Sequence, residues 1–197
     1  MFHRPLIFTF PYFIAFWIPY VWALMPEMRM VRAARIAAKQ EDSKDAGSVE
    51  VIFIVGQIGI LAALFFSFVR FGAMTPAVPL FRAGLASLIA GALLRRHCWR
   101  VLGEYFTGDV KAREDQPVID RGAYRFVRHP SYTAGMLLFV GVGLAWGNWI
   151  GFAILMVSVT AGYAYRVRVE ERALAQTIGE PYLQFMRTRK RFVPYVI

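Results

Sequence analysis

SYTAGMLLFVGVGLAWGNWIGFAILMVSVTAGYAY, residues 131–165, is a run of 35 residues without one charged side chain. As a single α-helix it would be about 50 Å long, against a bilayer hydrocarbon layer of roughly 30 Å. The run must therefore fold back on itself. WGNWIG, 146–151, is the place for the turn: Gly147 and Asn148 supply turn chemistry, and Trp146 and Trp149 favour the membrane–water interface. This hairpin of two spans, 131–146 and 149–165, predicts an all-α integral membrane protein, because a helix satisfies its own backbone groups in lipid.

Three more blocks extend that reading. Residues 6–25 and 51–69 carry no charge, and 77–94 is interrupted only by Arg82, which can snorkel to the interface from the helix end. The sequence thus predicts five transmembrane helices in a single membrane domain over 1–197. A soluble core of the same 57% hydrophobic content would not gather its apolar residues into such blocks. With five spans, segments 26–50, 95–130 and 166–197 lie on one side and hold all of the 23 Lys and Arg except Arg4, Arg70 and Arg82. By the positive-inside rule that side is cytoplasmic, with the N-terminus outside, as in a bacterial inner membrane. The net charge of +10 then follows from topology and contact with anionic membrane lipids. No nucleic-acid recognition module accompanies it. Residues 1–4 and the block behind them imitate a signal peptide, but the block is too long and lacks a small-residue cleavage site, so a retained helix is expected. The single cysteine, Cys98, excludes an intramolecular disulfide and a cysteine metal cluster, and no metal is expected.

Between the spans, Arg29, Arg32, Arg35 and Lys39 recur at helical spacing, along lipid headgroups or on a solvated face. Gly56 and Gly59, like Gly143 and Gly147, read as close-approach positions between helices, and Gln57 as interhelical hydrogen-bonding glue. The third span continues as a helix past Leu94 and stops near Gly103 or Gly108. RGAYRFVRHPSYTAG, 121–135, then sets His129 beside Arg125 and Arg128, directly before Pro130 opens a helix. Such an imidazole either serves chemistry near neutral pH or anchors the helix end among headgroups. Tyr124 and Tyr132 have the same two readings. Pro117, Val118 and Ile119 form an extended stretch whose backbone can bond a purine edge or ordinary loop backbone. Beyond the hairpin, Arg166 and Glu170 share a helix face and Glu171 follows on a neighbouring one; a plain salt bridge there is worth only a few tenths of a kcal/mol. Gly179, Glu180 and Pro181 end that helix and open another, in which Tyr182 and Phe185 form a packing stripe.

Taken in order, GAYRFVRHPSYTAG, the uncharged hairpin, R-x-x-x-E-E-x-x-L-x-x-x-x-G-x-x-Y (Arg166, Glu170, Glu171, Leu174, Gly179, Tyr182) and R-x-x-P (Arg191, Pro194) resemble the isoprenylcysteine carboxyl methyltransferase family of integral membrane enzymes. The pattern, which covers the C-terminal half from Arg96 onward, is also similar to the phospholipid methyltransferases. The resemblance implies S-adenosylmethionine as cofactor, in a cytoplasmic pocket built from the loop before the last hairpin and the C-terminal helices. Carried over by position, it implies cofactor contacts from Gln116, Pro117, Val118, Ile119, Tyr124, His129, Pro130, Ser131, Tyr132 and Glu170. Arg166 matches a substrate-side arginine, and Arg166, Glu170 and His129 are the candidate catalytic set. The connector before Pro117 is shorter than the eukaryotic pattern, which withholds a cofactor role from Lys111. The N-terminal half carries no motif and is where acceptor choice is expected to lie.

The function expected is methylation of a lipophilic or prenylated acceptor at the membrane boundary, most like carboxyl O-methylation of an isoprenylcysteine. A phospholipid or other lipid-amine N-methyltransferase is the alternative, and a non-catalytic membrane scaffold or transporter component is the alternative from another class. Topology is directly testable. Reporters fused after Lys39 or at Ile197 should behave as cytoplasmic and one fused after Asn148 as external; an external C-terminus would remove both the span count and the shared pocket.

Overall fold

The computed structural model describes residues 3–40, 47–106 and 116–193. Six α-helices account for most of them: α1 (Tyr12–Gln40), α2 (Ser48–Ser67), α3 (Ala77–Leu102), α4 (Pro130–Trp146), α5 (Trp149–Ile178) and α6 (Glu180–Thr188). Only isolated bridges, and no strands, occur among the described residues. The all-α expectation holds.

The turn of the long uncharged run falls where its residues put it. Gly147 adopts φ 74°, a left-handed conformation that closes α4, and Asn148 caps α5 by accepting from the Ile150 and Gly151 N–H groups at 2.9 and 3.1 Å. The same buried amide donates to the Val69 and Phe71 carbonyls at 3.1 and 2.9 Å. The segment after α2 is thereby tied to the hairpin, and two backbone bonds, Met74 N to Gly147 O and Trp149 N to Gly72 O, reinforce the tie at 2.8 Å each.

Two helix pairs make the core, α3 against α4 and α2 against α5, with Leu88, Leu138, Val142, Leu155 and Val159 buried between them. The first pair is a backbone-to-backbone contact. A Cβ built at Gly141 would stand 2.5 Å from the Leu88 nitrogen and 2.7 Å from the Gly84 carbonyl oxygen, and one at Gly91 would stand 2.7 Å from the Leu138 nitrogen. Small residues of this kind let helices approach in lipid, where van der Waals contact drives association. In the second pair, Gly59 lies against Ser158 and Gly151 against Ala63. Of the glycines expected to act this way, Gly59 and Gly143 do, the latter against Phe152, whereas Gly147 serves the turn and Gly56 faces open space. Gln57 is exposed on the outer side of α2 and is not interhelical glue, because the α5 contact uses the glycine face instead.

The first predicted span is corrected at both ends. Residues 6–8 form a separate 3₁₀ turn, closed by Thr9 Oγ1 donating to Leu6 O at 2.8 Å, and α1 starts at Tyr12 and runs past 25 to Gln40. It does so through Pro19 and Pro26. Proline at position 26 removes the donor that would serve the Trp22 carbonyl one turn back. Arg96 of α3 replaces it: Nη2 donates to Trp22 O at 2.7 Å, and the guanidinium lies 3.7 Å from the centre of the Trp22 indole. A helix break in α1 is thus satisfied from a neighbouring helix.

Three of the described helices, Val49–Ser67, Ala77–Leu102 and Trp149–Ile178, are long and apolar enough to cross a membrane, and α4 is a shorter apolar helix. Ile54, Ile58, Leu61 and Phe65 face outward along α2, as do Leu93 and Val157 elsewhere, which suits lipid and not water. This is a multi-pass membrane protein. A side chain in the α3–α4 seam meets backbone that cannot move aside, so Gly141→Leu should destabilise by ~3 kcal/mol or more. Gly56→Ala, in open space, should not destabilise at all; thermal unfolding of both variants in detergent checks the contrast.

Candidate functional site

At one end of the bundle, segment 116–129 and the helices surround a common space. The cavity between them has a volume of about 250 Å³. Its walls come from α1, α2, α3, α4, α5 and α6, so every long element contributes to one space. The segment reaches it from the turn at Asp120 and Arg121, where Gly122 adopts φ +59° and begins a 3₁₀ turn through Arg125. A Cβ at Gly122 would stand 2.8 Å from Val101 and 2.9 Å from His97, so only glycine lets this loop sit on α3.

A buried carboxylate fixes the roof. Glu171 Oε1 lies 3.1 Å from His129 Nε2 and 3.2 Å from Arg128 Nη2, and Glu171 Oε2 accepts from Arg191 Nη2 at 2.8 Å. Because an ionised carboxylate only accepts, the His129 nitrogen facing it carries a proton. Backbone bonds run along the same contact: Arg128 N to Lys190 O at 2.8 Å and His129 N to Arg191 O at 2.9 Å, with Val127 and Lys190 in a parallel bridge. Thr133 Oγ1 adds a bond to Phe192 O at 2.8 Å. The chain after α6 is in this way laid along the RHP segment, which is itself held at the start of α4 by Pro130.

A second charged cluster holds the wall opposite. Arg95 of α3 donates through Nε and Nη2 to Glu27 of α1 at 2.6 and 2.9 Å, and through Nη1 to the Ser131 carbonyl at 2.7 Å. Its guanidinium carbon lies 5.8 Å from the ring centres of Trp99 and Phe106. Three helices therefore meet on one buried cation. Between the clusters, Tyr132 Oη donates to Glu170 Oε2 at 2.7 Å, and Arg166 is buried one turn further into α5. Burial pushes the hydroxyls of Tyr124 and Tyr182 well above the ordinary phenol range, so both remain protonated donors at physiological pH.

The residues singled out in the sequence converge here. Gln116, Pro117, Val118 and Ile119 line the cavity from the loop side. Tyr124, His129, Ser131 and Tyr132 line it from the RHP segment and α4, and Arg166 and Glu170 from α5. Pro130 is the exception: it is buried at the first turn of α4 and does not line the space. Tyr182 and Phe185, read as a packing stripe, line the cavity as well. Lys111 and Pro194 fall outside the described residues. Sequence reasoning missed Glu171 as the common acceptor for Arg128, His129 and Arg191, and missed the Glu27–Arg95 pair entirely. The doubled acidic residue after Arg166 was a signal for the first; nothing in a single sequence announces the second, whose partners are far apart in the chain.

Residues 80–180 match the family model described as phospholipid methyltransferase, which is half of the chain. The chain belongs to the phospholipid methyltransferase family. It is 30% identical to protein-S-isoprenylcysteine O-methyltransferase B of Arabidopsis thaliana over 115 residues, which cover 57% of this chain and 58% of that protein. Protein-S-isoprenylcysteine O-methyltransferase A of the same plant matches at 30% over the same shares, and the Schizosaccharomyces pombe enzyme at 25%, over 58% of this chain and 49% of its own. The chain thus spans about half the length of these relatives, 49–58%. Their names agree with the family that the motifs resemble, and the region matched by the family model holds α4, α5 and the whole cavity-lining segment 116–129.

Removing Glu171 would leave Arg128 and His129 buried without their acceptor. Glu171→Ala should cost ~3–5 kcal/mol in thermal unfolding, whereas Arg191→Ala, whose side chain is half exposed, should cost about 1 kcal/mol or less. Equal effects of the two would mean that the carboxylate is not the centre of the cluster.

Proposed function

We propose that this chain is an S-adenosylmethionine-dependent methyltransferase acting on a lipophilic acceptor, with carboxyl O-methylation of an isoprenylcysteine-like substrate as its reaction. One observation carries the reading: a single cavity joins a charged, aromatic end, lined by nearly all the residues that match cofactor positions, to an apolar limb running between the helices. The names of the plant and yeast relatives support the same acceptor class.

The donor set fits this cofactor. A sulfonium with an amino-acid end and a purine needs a carboxylate for its ammonium, a cation for its carboxylate, and flat or backbone surface for its base. Glu170 offers the first. Arg128 lines the cavity, and its buried Nε has no hydrogen-bond partner among the described residues, which suits the second. Tyr105, Phe106 and residues 116–119 offer the third. When bound, the cofactor supplies an electrophilic methyl group displaced in line by the acceptor.

The protein's own work is then orientation and exclusion of water. Tyr132 holds the Glu170 carboxylate through its hydroxyl and so fixes where that charge stands. His129, bound to Glu171, keeps the RHP segment in register with the C-terminal chain. Arg166 occupies the junction, with Glu170 one turn toward the polar end and Gly162 one turn toward the apolar limb. An acceptor carboxylate meets a cation there, and being already ionised it needs no general base. The second reading, N-methylation of a lipid amine, is favoured by the description of the matching family model. That reaction requires removal of a proton, for which His129 is the candidate. We further propose five spans, with α1 and α4 crossing beside the three longer apolar helices, and with the cavity on the cytoplasmic side.

Labelled methyl transfer over a panel of prenylated thioether carboxylates and lipid amines, followed by mild base, separates the readings, since esters hydrolyse and methylated amines survive. Glu170→Ala should weaken donor binding by roughly tenfold, the effect of losing one charged hydrogen-bond partner, and His129→Ala, which releases the cavity-lining RHP segment from Glu171, should weaken it as well. Arg166→Ala should instead raise KM or lower kcat for the acid acceptor far more than it weakens the donor, with partial recovery in Arg166→Lys because the charge returns without the planar fork. A full-rate Arg166→Ala enzyme acting on a lipid amine would favour the second reading.

A further inference from the structure

The apolar limb of the cavity has a definite floor, and one residue outside the region matched by the family model shapes it. Along α5 the limb runs from Arg166 to Ser158, about 12 Å, and along α4 from Tyr132 to Phe139, about 10 Å. Below that level the helices close. Gly59 is in contact with Ser158 and Leu155, its notional Cβ standing 2.8 Å from Ser158 Cβ and 3.3 Å from Leu155 Cδ1. Leu155 and Val142 are fully buried in the core beneath. One turn of α2 earlier the situation is opposite: Gly56 lines the cavity, and a Cβ built on it meets nothing within 4 Å. Two glycines three residues apart on one helix thus do different things. Gly59 lets α2 touch α5, and Gly56 leaves room.

We infer that Gly56 sets how much hydrocarbon the acceptor can place in the enclosed limb, making it a specificity-determining residue for tail length. The inference rests on the proposed transfer to a lipophilic acceptor. Continuity is the argument: Arg166 holds the anionic head at the junction, the Glu27 and Arg95 charges that also line the cavity are paired with each other, and beyond them the tail's far end arrives at the layer formed by Gly56, Phe139 and Ser158. Leu24 and Ile52 complete the apolar wall. Any side chain at position 56 projects into that space and shortens it, while the α2–α5 contact at Gly59 is untouched. Glycine in the middle of a helix is otherwise unfavourable relative to alanine, so its use here needs a steric reason, and the open volume supplies one.

The test uses the full-length protein in detergent or proteoliposomes, as wild type, Gly56→Ala, Gly56→Leu and Gly56→Phe. Thioether carboxylates bearing one to four isoprene units serve as acceptors, and sulfonates with the same tails, which form no methyl ester under these conditions, serve as binding probes read by thermal stabilisation. The ratio of kcat/KM for long over short tails should fall progressively from Ala to Leu to Phe, by at least tenfold at Leu, while S-adenosylmethionine affinity measured by calorimetry stays at the wild-type value. A uniform loss for all tails, or no change in the ratio, overturns the inference. If wild type methylates none of the carboxylates, the methyl-ester reading fails, and the sulfonates still decide the role of Gly56: stabilisation that grows with tail length in wild type and loses that growth in Gly56→Leu upholds it, and length-independent stabilisation overturns it. Gly56→Ala guards against misfolding, because it adds only a methyl group to empty space.

Discussion

A negative charge buried under arginines is the constraint on which the functional end of this molecule depends. Glu171 sits on α5 among Arg128, His129 and Arg191, and each of these belongs to a different stretch of backbone from its own. Desolvating a carboxylate is expensive unless its oxygens are fully engaged, and these are. Satisfying the charge therefore brings the RHP segment and the chain after α6 to α5 at once. The cavity lies beneath this junction. Its donors and acceptors are arranged as a consequence of burying that one group, and Glu170, the adjacent residue, is left turned toward Tyr132 and the interior space.

The opposite wall follows the same logic with the sign reversed. Arg95 is a cation nearly out of contact with solvent, and it has a carboxylate, a carbonyl and two aromatic faces to compensate it. Its partner Glu27 follows Pro26 on α1, at the break whose free carbonyl is taken by Arg96. Two successive arginines on α3 thus hold the half of α1 beyond Pro26 beside the cavity. Glu27 alone in this wall precedes the region matched by the family model, in the same part of the chain where the two glycines of α2 diverge in role.

What the sequence could disclose was governed by range. The hairpin and the break at Gly179 depend on residues next to one another, and turn chemistry with a charge-free run was enough to find them; for α3 the same signals left Gly103 and Gly108 as candidate ends, and the helix stops at the first. Motif order likewise placed ten lining residues in one space, with Pro130 alone falling short because its ring is spent on starting α4. Facing is another matter. Period and composition do not say which side of α2 meets α5, so Gly56, Gln57 and Gly59 looked alike until the helices were packed. The Glu27–Arg95 pair joins residues with no shared pattern, and Glu171 was hidden by standing beside an equally acidic neighbour. At the N-terminus the absence of charge was mistaken for continuity of helix, whereas prolines and a side-chain bond from Thr9 divide the segment.

Asn148 gives the bundle a mechanical character. One amide makes four hydrogen bonds at the end away from the cavity, joining the turn between α4 and α5 to the chain leaving α2. In terms of leverage, that end is a fulcrum: a small rotation of α5 against α2 about it leaves the tied end in place and is magnified with distance, reaching its largest displacement some twenty residues along, where Arg166 and Glu170 stand, about 30 Å away. A bundle tied in this manner is stiffest at the turn and has its longest lever arm at the cavity.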